Sequence, residues 1–253
     1  MSHQPPSPRL PRPLRAVTFD CWNTLLVERD WSVAHALRVD ALVEVAKRAG
    51  RESDRAELSG VFDAAWNRHI ARWTSGVASG AAEIARDAFG ILGISEEGAG
   101  FAALVTSWEE ASHSGAVEAV DGTHAHLAFL SRAGLRLGVI CDTGLTPGRV
   151  VRRLLHDVGL LAYFDVCVFS DEVGVPKPDP RIFHAALEAL EADASHTAHV
   201  GDLLRTDVAG ARGVGMTSIR IRAAYDDPSE QPEADLLADS HAQLREIFER
   251  ALG

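Results

Sequence analysis

Ala16-Val17-Thr18-Phe19-Asp20-Cys21-Trp22-Asn23-Thr24-Leu25-Leu26 opens as a short apolar run rich in β-forming residues and then delivers one carboxylate into a turn-compatible stretch. Such a run reads as a parallel strand that presents Asp20 at its carboxyl end, where open α/β sheets place their ligands. Asp20 is therefore the candidate nucleophile. A solvated aspartate closing a strand would look the same on this stretch alone, so only the downstream stretches decide between the two.

Downstream of about Val120, strand-like and helix-like patterns alternate. His124 to Ala133 reads as a helix, Leu135 to Cys141 as a buried strand and Thr146 to Val158 as a helix. Asp165 to Ser170 is a strand, Pro180 to Ala192 a helix, Thr197 to Val200 a strand and Asp207 to Arg212 a helix. Thr217 to Ile221 and Ala234 to Ala238 are strands on either side of a loop, and His241 to Leu252 is a terminal helix. This alternation specifies an α/β class: a Rossmann-like parallel sheet with helices on both faces. Between Asp30 and Ser114 only helical periodicity occurs. Val33, Ala36, Leu37, Ala41, Leu42, Val45 and Ala46 would form one apolar face there, followed by Leu58 to Trp73, Ala81 to Leu92 and Phe101 to Ala111. Gly76, Gly80, Gly93 and Gly98 separate these stretches. The expected organisation is a core of residues 14–27 and 118–253, with an all-helical insert over 28–117.

A length of 253 residues, 46% of them hydrophobic, supports a sizeable core, and a formal net charge of −11 argues against nucleic acid or an anionic membrane as partner. No apolar run reaches the ~20 residues of a membrane span. Residues 1–13 are proline-rich and read as a disordered tail. Cys21, Cys141 and Cys167 form no Cys-x-x-Cys pair, which suggests reduced thiols and a cytoplasmic protein.

Three further strand-end loops carry polar residues beyond what turns require. Cys141-Asp142-Thr143-Gly144 leads into a helix and suits an anion cradle. In Val175-Pro176-Lys177-Pro178-Asp179-Pro180 two prolines stiffen the segment around one lysine, whose ammonium could offset charge on Asp20 and on a phosphoryl group. Gly201-Asp202 follows another short strand, with Asp207 a turn later, an oxygen-rich set of the kind that hard cations such as Mg²⁺ select. An acidic helix start would explain Asp207 but not Asp202. His35, His69, His124, His126 and His156 fall on helical faces and His199 inside a strand, so packing or solvent roles are expected for them.

Together these four stretches resemble the haloacid dehalogenase superfamily of hydrolases, from Arg15 to about Leu244. The resemblance implies a Mg²⁺-dependent phosphohydrolase of a small phosphorylated metabolite. In it Asp20 would form an aspartyl-phosphate and Lys177 would steady the charge. Cys141, Asp142, Thr143 and Lys177 would bind phosphate. Asp20, Asp202, Asp207 and the backbone carbonyl of Trp22 would hold the metal. The insert becomes a cap with hinges near Val27–Asp30 and Gly115–Asp121, and specificity is expected around Trp73. Two positions depart from the family pattern: Trp22 stands where phosphatases carry an acid–base aspartate, and Cys141 where serine or threonine is usual. Trp22 brings in one alternative, a metal-independent dehalogenase of a small halogenated acid, and Trp22 with Cys141 a second, a catalytically weakened protein that binds a phospho-ligand or partner.

Overall fold

The computed structural model describes residues 10–97 and 100–253. The first nine residues of the expected tail, and Gly98, lie outside the described residues. The end of that tail is corrected: Leu10 is buried with Leu14 in the main apolar cluster, and Arg12 Nη2 donates to the Arg250 carbonyl at 3.3 Å. A leucine within reach of an apolar surface is more stable packed there than in water.

In chain order the strands are β1 (Ala16–Phe19), β2 (Leu26–Glu28), β3 (Val117–Ala119), β4 (Arg136–Cys141), β5 (Val166–Phe169), β6 (Thr197–Gly201), β7 (Thr217–Ile221) and β8 (Leu236–Ala238). Six of them form a parallel sheet in the order β5-β4-β1-β6-β7-β8, with Phe19 opposite Val139 on one side and Val200 on the other. The chain leaves β1 toward β4 and β5, then returns to place β6 on the far side. The strand order therefore reverses at β1, and open sheets form their ligand crevice at such a point.

The core helices are α5 (Thr123–Arg132), α6 (Gly148–Asp157), α7 (Ser170–Val173), α8 (Pro180–Ala189), α9 (Ala209–Gly213) and α10 (His241–Leu252), preceded in the insert by α1 (Trp31–Arg48), α2 (Arg55–Thr74), α3 (Ala81–Leu92) and α4 (Phe101–Glu110). Alternation along the strands supplies both sheet faces. Val139, Cys141 and Phe169 pack with residues of α5, α6 and α10, while Ile140 and Val168 pack with Ile182 and Phe183 of α8 and Ala211 of α9.

The insert has its own apolar cluster, from Val39 and Leu42 through Phe62, Ile84 and Phe89 to Trp108. Both of its connections to the core pair with each other, because β2 and β3 form a two-stranded antiparallel ribbon. These three-residue strands are too short to show a periodic signal in the sequence.

The expected face of α1 is also corrected. Val33 and Leu37 are 39% exposed, and the buried stripe runs through Ala34, Arg38, Val39, Leu42, Val45 and Ala46. A buried arginine sets this rotation: Arg38 Nε donates to the Trp108 carbonyl at 3.1 Å and Nη2 to the Ser112 hydroxyl at 2.9 Å. Desolvating a guanidinium is unfavourable, and these bonds offset part of that cost.

Behind the turn after β1, buried His126 and His241 meet at 3.1 Å through their Nδ1 atoms, and His241 Nε2 donates to the Thr24 carbonyl at 2.8 Å. Burial lowers their pKa values from 6.5, to about 3 for His126 and about 4 for His241. Between pH 6.5 and those values the unfolded chain binds more protons than the folded one, so acid should destabilise the fold. The unfolding free energy from urea titration is expected to fall between pH 6.5 and 4 with a slope of up to about 1.4 kcal/mol per pH unit for each histidine. His126→Leu should make the profile shallower. An identical pH profile in wild type and variant would refute this account.

Candidate active site

The turn after β1, the ends of β4 and β6 and the Pro176–Pro178 segment converge on one point. Lys177 lies there, 2% exposed, with its ammonium 2.5 Å from Asp20 Oδ1, 2.7 Å from Asp207 Oδ1 and 3.0 Å from the Ile140 carbonyl. All three ammonium donors are thereby used. The Lys177 backbone N–H donates to Asp142 Oδ1 at 2.8 Å, fixing the segment against the loop after β4.

Asp202 follows β6 directly, and its carboxylate lies with those of Asp20 and Asp207 so that one oxygen from each falls within 4.8 Å of the others. All three are buried. Asn23, held at a positive φ of 60°, donates from Nδ2 to Asp202 Oδ2 at 3.3 Å. Asparagine tolerates that left-handed conformation better than most residues.

Asp207 is positioned from several sides. It sits in a single π-helical turn, Leu204–Val208, and the Leu203 N–H donates to its Oδ2 at 3.0 Å. His199 Nε2 contacts its Oδ1 at 3.2 Å, and the same ring pairs through Nδ1 with the Thr18 hydroxyl at 2.8 Å. Gly201 makes room for it: a Cβ there would stand 2.3 Å from Asp207 Cγ, closer than real contacts permit.

Three carboxylates therefore gather at one point, and the single ammonium there pairs with two of them, Asp20 and Asp207. Burial pushes the Asp20 pKa up to about 7, against the pull of Lys177. Asp202 is raised well above the usual carboxylate range by burial and by the charges of Asp20 and Asp207. Burial would also raise Asp207, but Lys177 and His199 outweigh it and hold this carboxyl ionised. Ionising Asp20 and Asp202 together with Asp207 is therefore unfavourable without further positive charge, and a divalent cation such as Mg²⁺, which selects hard oxygen donors, fits that need. Asp20, Asp202 and Asp207 are the side chains able to hold it.

The loop after β4 differs from a simple anion cradle. Thr143 Oγ1 pairs with Ser170 Oγ at 3.0 Å and Asp171 Oδ1 at 3.0 Å, and its N–H donates to Ser170 Oγ at 2.8 Å. Cys141 Sγ donates to the Asp142 carbonyl at 3.3 Å, and its pKa is pushed up by hydrogen bonding with Cys21 and by burial, so it remains a neutral thiol. Asp142 Oδ2 accepts from Trp73 Nε1 of α2 at 2.8 Å, and Arg205 covers that indole at 4.2 Å.

In front of Asp20 lies a cavity of about 430 Å³, lined on the core side by Trp22, Asp142, Thr143 and Thr206 and on the insert side by Trp31, Trp66, His69, Ile70 and Trp73. The helical periodicity of α2 conceals His69, because a histidine on an amphipathic helix reads as packing. Its Nδ1 pairs with Ser79 Oγ at 2.6 Å, and burial together with Arg72 lowers its pKa to about 4. Asn23 and Thr206 gave no signal beyond turn and cap chemistry.

The sequence model for "haloacid dehalogenase-like hydrolase" matches residues 14–215. The haloacid dehalogenase-like hydrolase domain-containing protein 3 of Bos taurus is 28% identical over 90% of this chain and 89% of its own length. A phosphoserine phosphatase of Thermus thermophilus is 35% identical over 49% of this chain and 47% of its own. Among solved structures, a HAD phosphatase from Thermococcus onnurineus superimposes with a TM-score of 0.66 at 24% identity, covering 93% of this chain and 98% of its own. A 2-haloacid dehalogenase from Pseudomonas syringae pv. Tomato DC3000 also superimposes with a TM-score of 0.66, at 22% identity, covering 94% of this chain and 99% of its own. Fold alone therefore does not separate the two chemistries. The match over most of the chain, on a parallel sheet whose strand ends gather three carboxylates and one lysine, makes this protein a member of the haloacid dehalogenase-like hydrolase family.

Proposed function

We propose that the chain is a Mg²⁺-dependent phosphohydrolase acting on a small phosphorylated metabolite through an aspartyl-phosphate on Asp20. The observation that carries this reading is the meeting of Asp20, Asp202 and Asp207 around the single ammonium of Lys177. A metal-independent dehalogenase would leave that excess of buried carboxylates without a partner, which disfavours the alternative in which Asp20 attacks carbon.

Asp20, Asp202, Asp207 and the backbone carbonyl of Trp22 would hold the ion, which supplies positive charge where a carboxylate approaches a phosphate. An Asp20 oxygen forms the bond to phosphorus, and the P–O ester bond breaks with its electron pair leaving on the substrate oxygen. Water then attacks the aspartyl-phosphate, releasing inorganic phosphate and restoring Asp20. Lys177 offsets charge throughout. His199 and Gly201 position Asp207. With the Thr143 hydroxyl turned to Ser170 and Asp171, and Cys141 a neutral thiol, charge neutralisation of the phosphate falls to Lys177, while Asp142 and Thr143 hold the loop in shape.

We read residues 28–117 as a cap hinged on the β2–β3 ribbon, with the hydrogen bond from Trp73 to Asp142 marking closure. No helix among the described residues is long and apolar enough to cross a membrane. The three free cysteines fit a reducing, cytoplasmic compartment.

Trp22 lines the cavity and cannot transfer a proton. General acid–base help contributes ~10²–10⁴-fold, most of it where the leaving group must be protonated.

Three outcomes are expected. Hydrolysis of p-nitrophenyl phosphate should require Mg²⁺ and should fall by ~10³-fold or more in Asp20→Asn, the loss typical of a missing nucleophile. Turnover that survives in this variant, or that ignores chelation, would exclude the mechanism. Trp22→Asp should raise glycerol phosphate hydrolysis by about 10²-fold and aryl phosphate hydrolysis far less; an unchanged ratio would dismiss the missing-acid account. Gly201→Ala should displace the Asp207 carboxylate and abolish the rise in melting temperature on adding Mg²⁺, and a retained rise would show that Asp207 is not a ligand.

A further inference from the structure

Four of the chain's five tryptophans, Trp22, Trp31, Trp66 and Trp73, line the cavity in front of Asp20. The fifth, Trp108, is fully buried in the insert's own core, as an indole recruited for packing should be. The other four are not: Trp31 is 42% exposed, and Trp22, Trp66 and Trp73 are half-buried. The rings of Trp31 and Trp66 lie 6.0 Å apart, and His69 stacks on Trp66 at 4.8 Å. One face of Trp31 is covered by Arg38 at 4.7 Å and one of Trp73 by Arg205 at 4.2 Å, so what these indoles offer an occupant of the cavity is their remaining ring surface and edges.

The charges of the cavity narrow its occupant. Among the described lining residues Lys177 is the one lysine or arginine, and its ammonium is taken by Asp20, Asp207 and the Ile140 carbonyl. Glu28 also lines the cavity, with a buried Oε1 that has no hydrogen-bond partner. Arg38 and Arg205 stand behind the indoles of Trp31 and Trp73 rather than in the lining, so a second carboxylate or phosphate on the substrate would meet the Glu28 carboxylate and no lining lysine or arginine with a free donor.

Outside the three carboxylates assigned to the metal, the described lining residues offer no acid for a leaving group. Trp22 is not one, and both Asp142 oxygens accept N–H donors, from Lys177 and Trp73. His69 is neutral near pH 7. A neutral imidazole N–H is a very weak acid. The leaving oxygen must depart with its negative charge. A phenolate, the base of an acid of pKa about 10, can do so; an alkoxide, close to hydroxide from water at about 15.7, cannot leave readily.

Building on the phosphohydrolase reading, we propose that the substrate is an aryl phosphate, a planar aromatic bearing one phosphate and no other charge. The Asp20–phosphorus bond forms as the P–O(aryl) bond breaks, the electron pair leaves as a phenolate held among the indoles, and solvent protonates it after departure.

The test compares kcat/KM of the full chain with Mg²⁺ for 1-naphthyl phosphate, acetyl phosphate and sn-glycerol 3-phosphate. Acetyl phosphate has a good leaving group without a ring, so it separates leaving-group chemistry from aromatic recognition. Naphthyl phosphate should exceed acetyl phosphate by at least about tenfold, the upper range of one aromatic contact, and glycerol phosphate by far more. Trp31→Ala, at an exposed position that spares the core, and Trp66→Ala should each shrink the naphthyl-to-acetyl ratio. Equal rates for naphthyl and acetyl phosphate, or glycerol phosphate turned over as fast as either, would overturn the substrate class and leave the phosphohydrolase reading standing. Turnover of none of the three would remove that reading, and the substrate class with it.

Discussion

The ammonium of Lys177 is buried where two carboxylates need it, and much of the molecule is arranged so that it stays there. A buried charge is tolerable only when it is paired and hydrogen-bonded. Here Asp20 comes from β1, Asp207 from the turn after β6, and the third acceptor is the Ile140 carbonyl of β4, so three adjacent strands must hold register for the ion pairs to form. The parallel register, with Phe19 between Val139 and Val200, supplies that alignment. Asp202 adds a third buried carboxylate that no basic side chain matches. Its presence makes the site one that folding alone does not favour, and buried groups perturbed in this way cluster at functional sites.

The insert meets this centre through the loops of the core. Its apolar cluster is separate from the core's, and the contact it makes with the loop after β4 is narrow. Leu145 inserts into the insert's cluster, Ser112 pairs with Thr146 at 2.9 Å, and Trp73 bonds Asp142. Outside the cavity, Glu109 and Glu110 of α4 pair with Arg149, and Glu110 also with Arg153. These are half-exposed ion pairs of modest worth. Trp73 is the informative contact. Its partner Asp142 also holds the backbone of Lys177, so the placement of the insert and of the ammonium depends on one carboxylate.

The core strands and their terminal acids were legible because each apolar run ends in a turn whose polar residue has no local structural role. The same logic failed where a polar residue is buried. Arg38 reads as a surface position in the pattern of α1, and only its bonds to Trp108 and Ser112 show that the helix is rotated to bury it. His69 failed in the same way, since a histidine pairing with Ser79 across a turn leaves no sequence signal. Asn23 and Thr206 occupy positions that turn and helix-start chemistry already explains. The β2–β3 ribbon lies below the length at which alternation can be recognised. The segments that the family resemblance implies as hinges, 27–30 and 115–121, overlap its two strands.

Trp22 and Cys141 differ in kind, although both depart from the family pattern. Cys141 is buried, neutral and bonded to the backbone of the next residue, so it behaves as a small apolar spacer at the end of β4. Its replacement of a hydroxyl weakens one donor and changes little else. Trp22 cannot be explained as packing alone, since a filler indole would be buried as Trp108 is, and this one borders the cavity beside Asp20. One substitution thus removes a proton donor and adds a π surface at the same place. A site altered only by loss would retain a small polar residue or gain a void. Coupling the loss to an aromatic wall that the insert completes with three more indoles is what a site adapted to a flat leaving group requires.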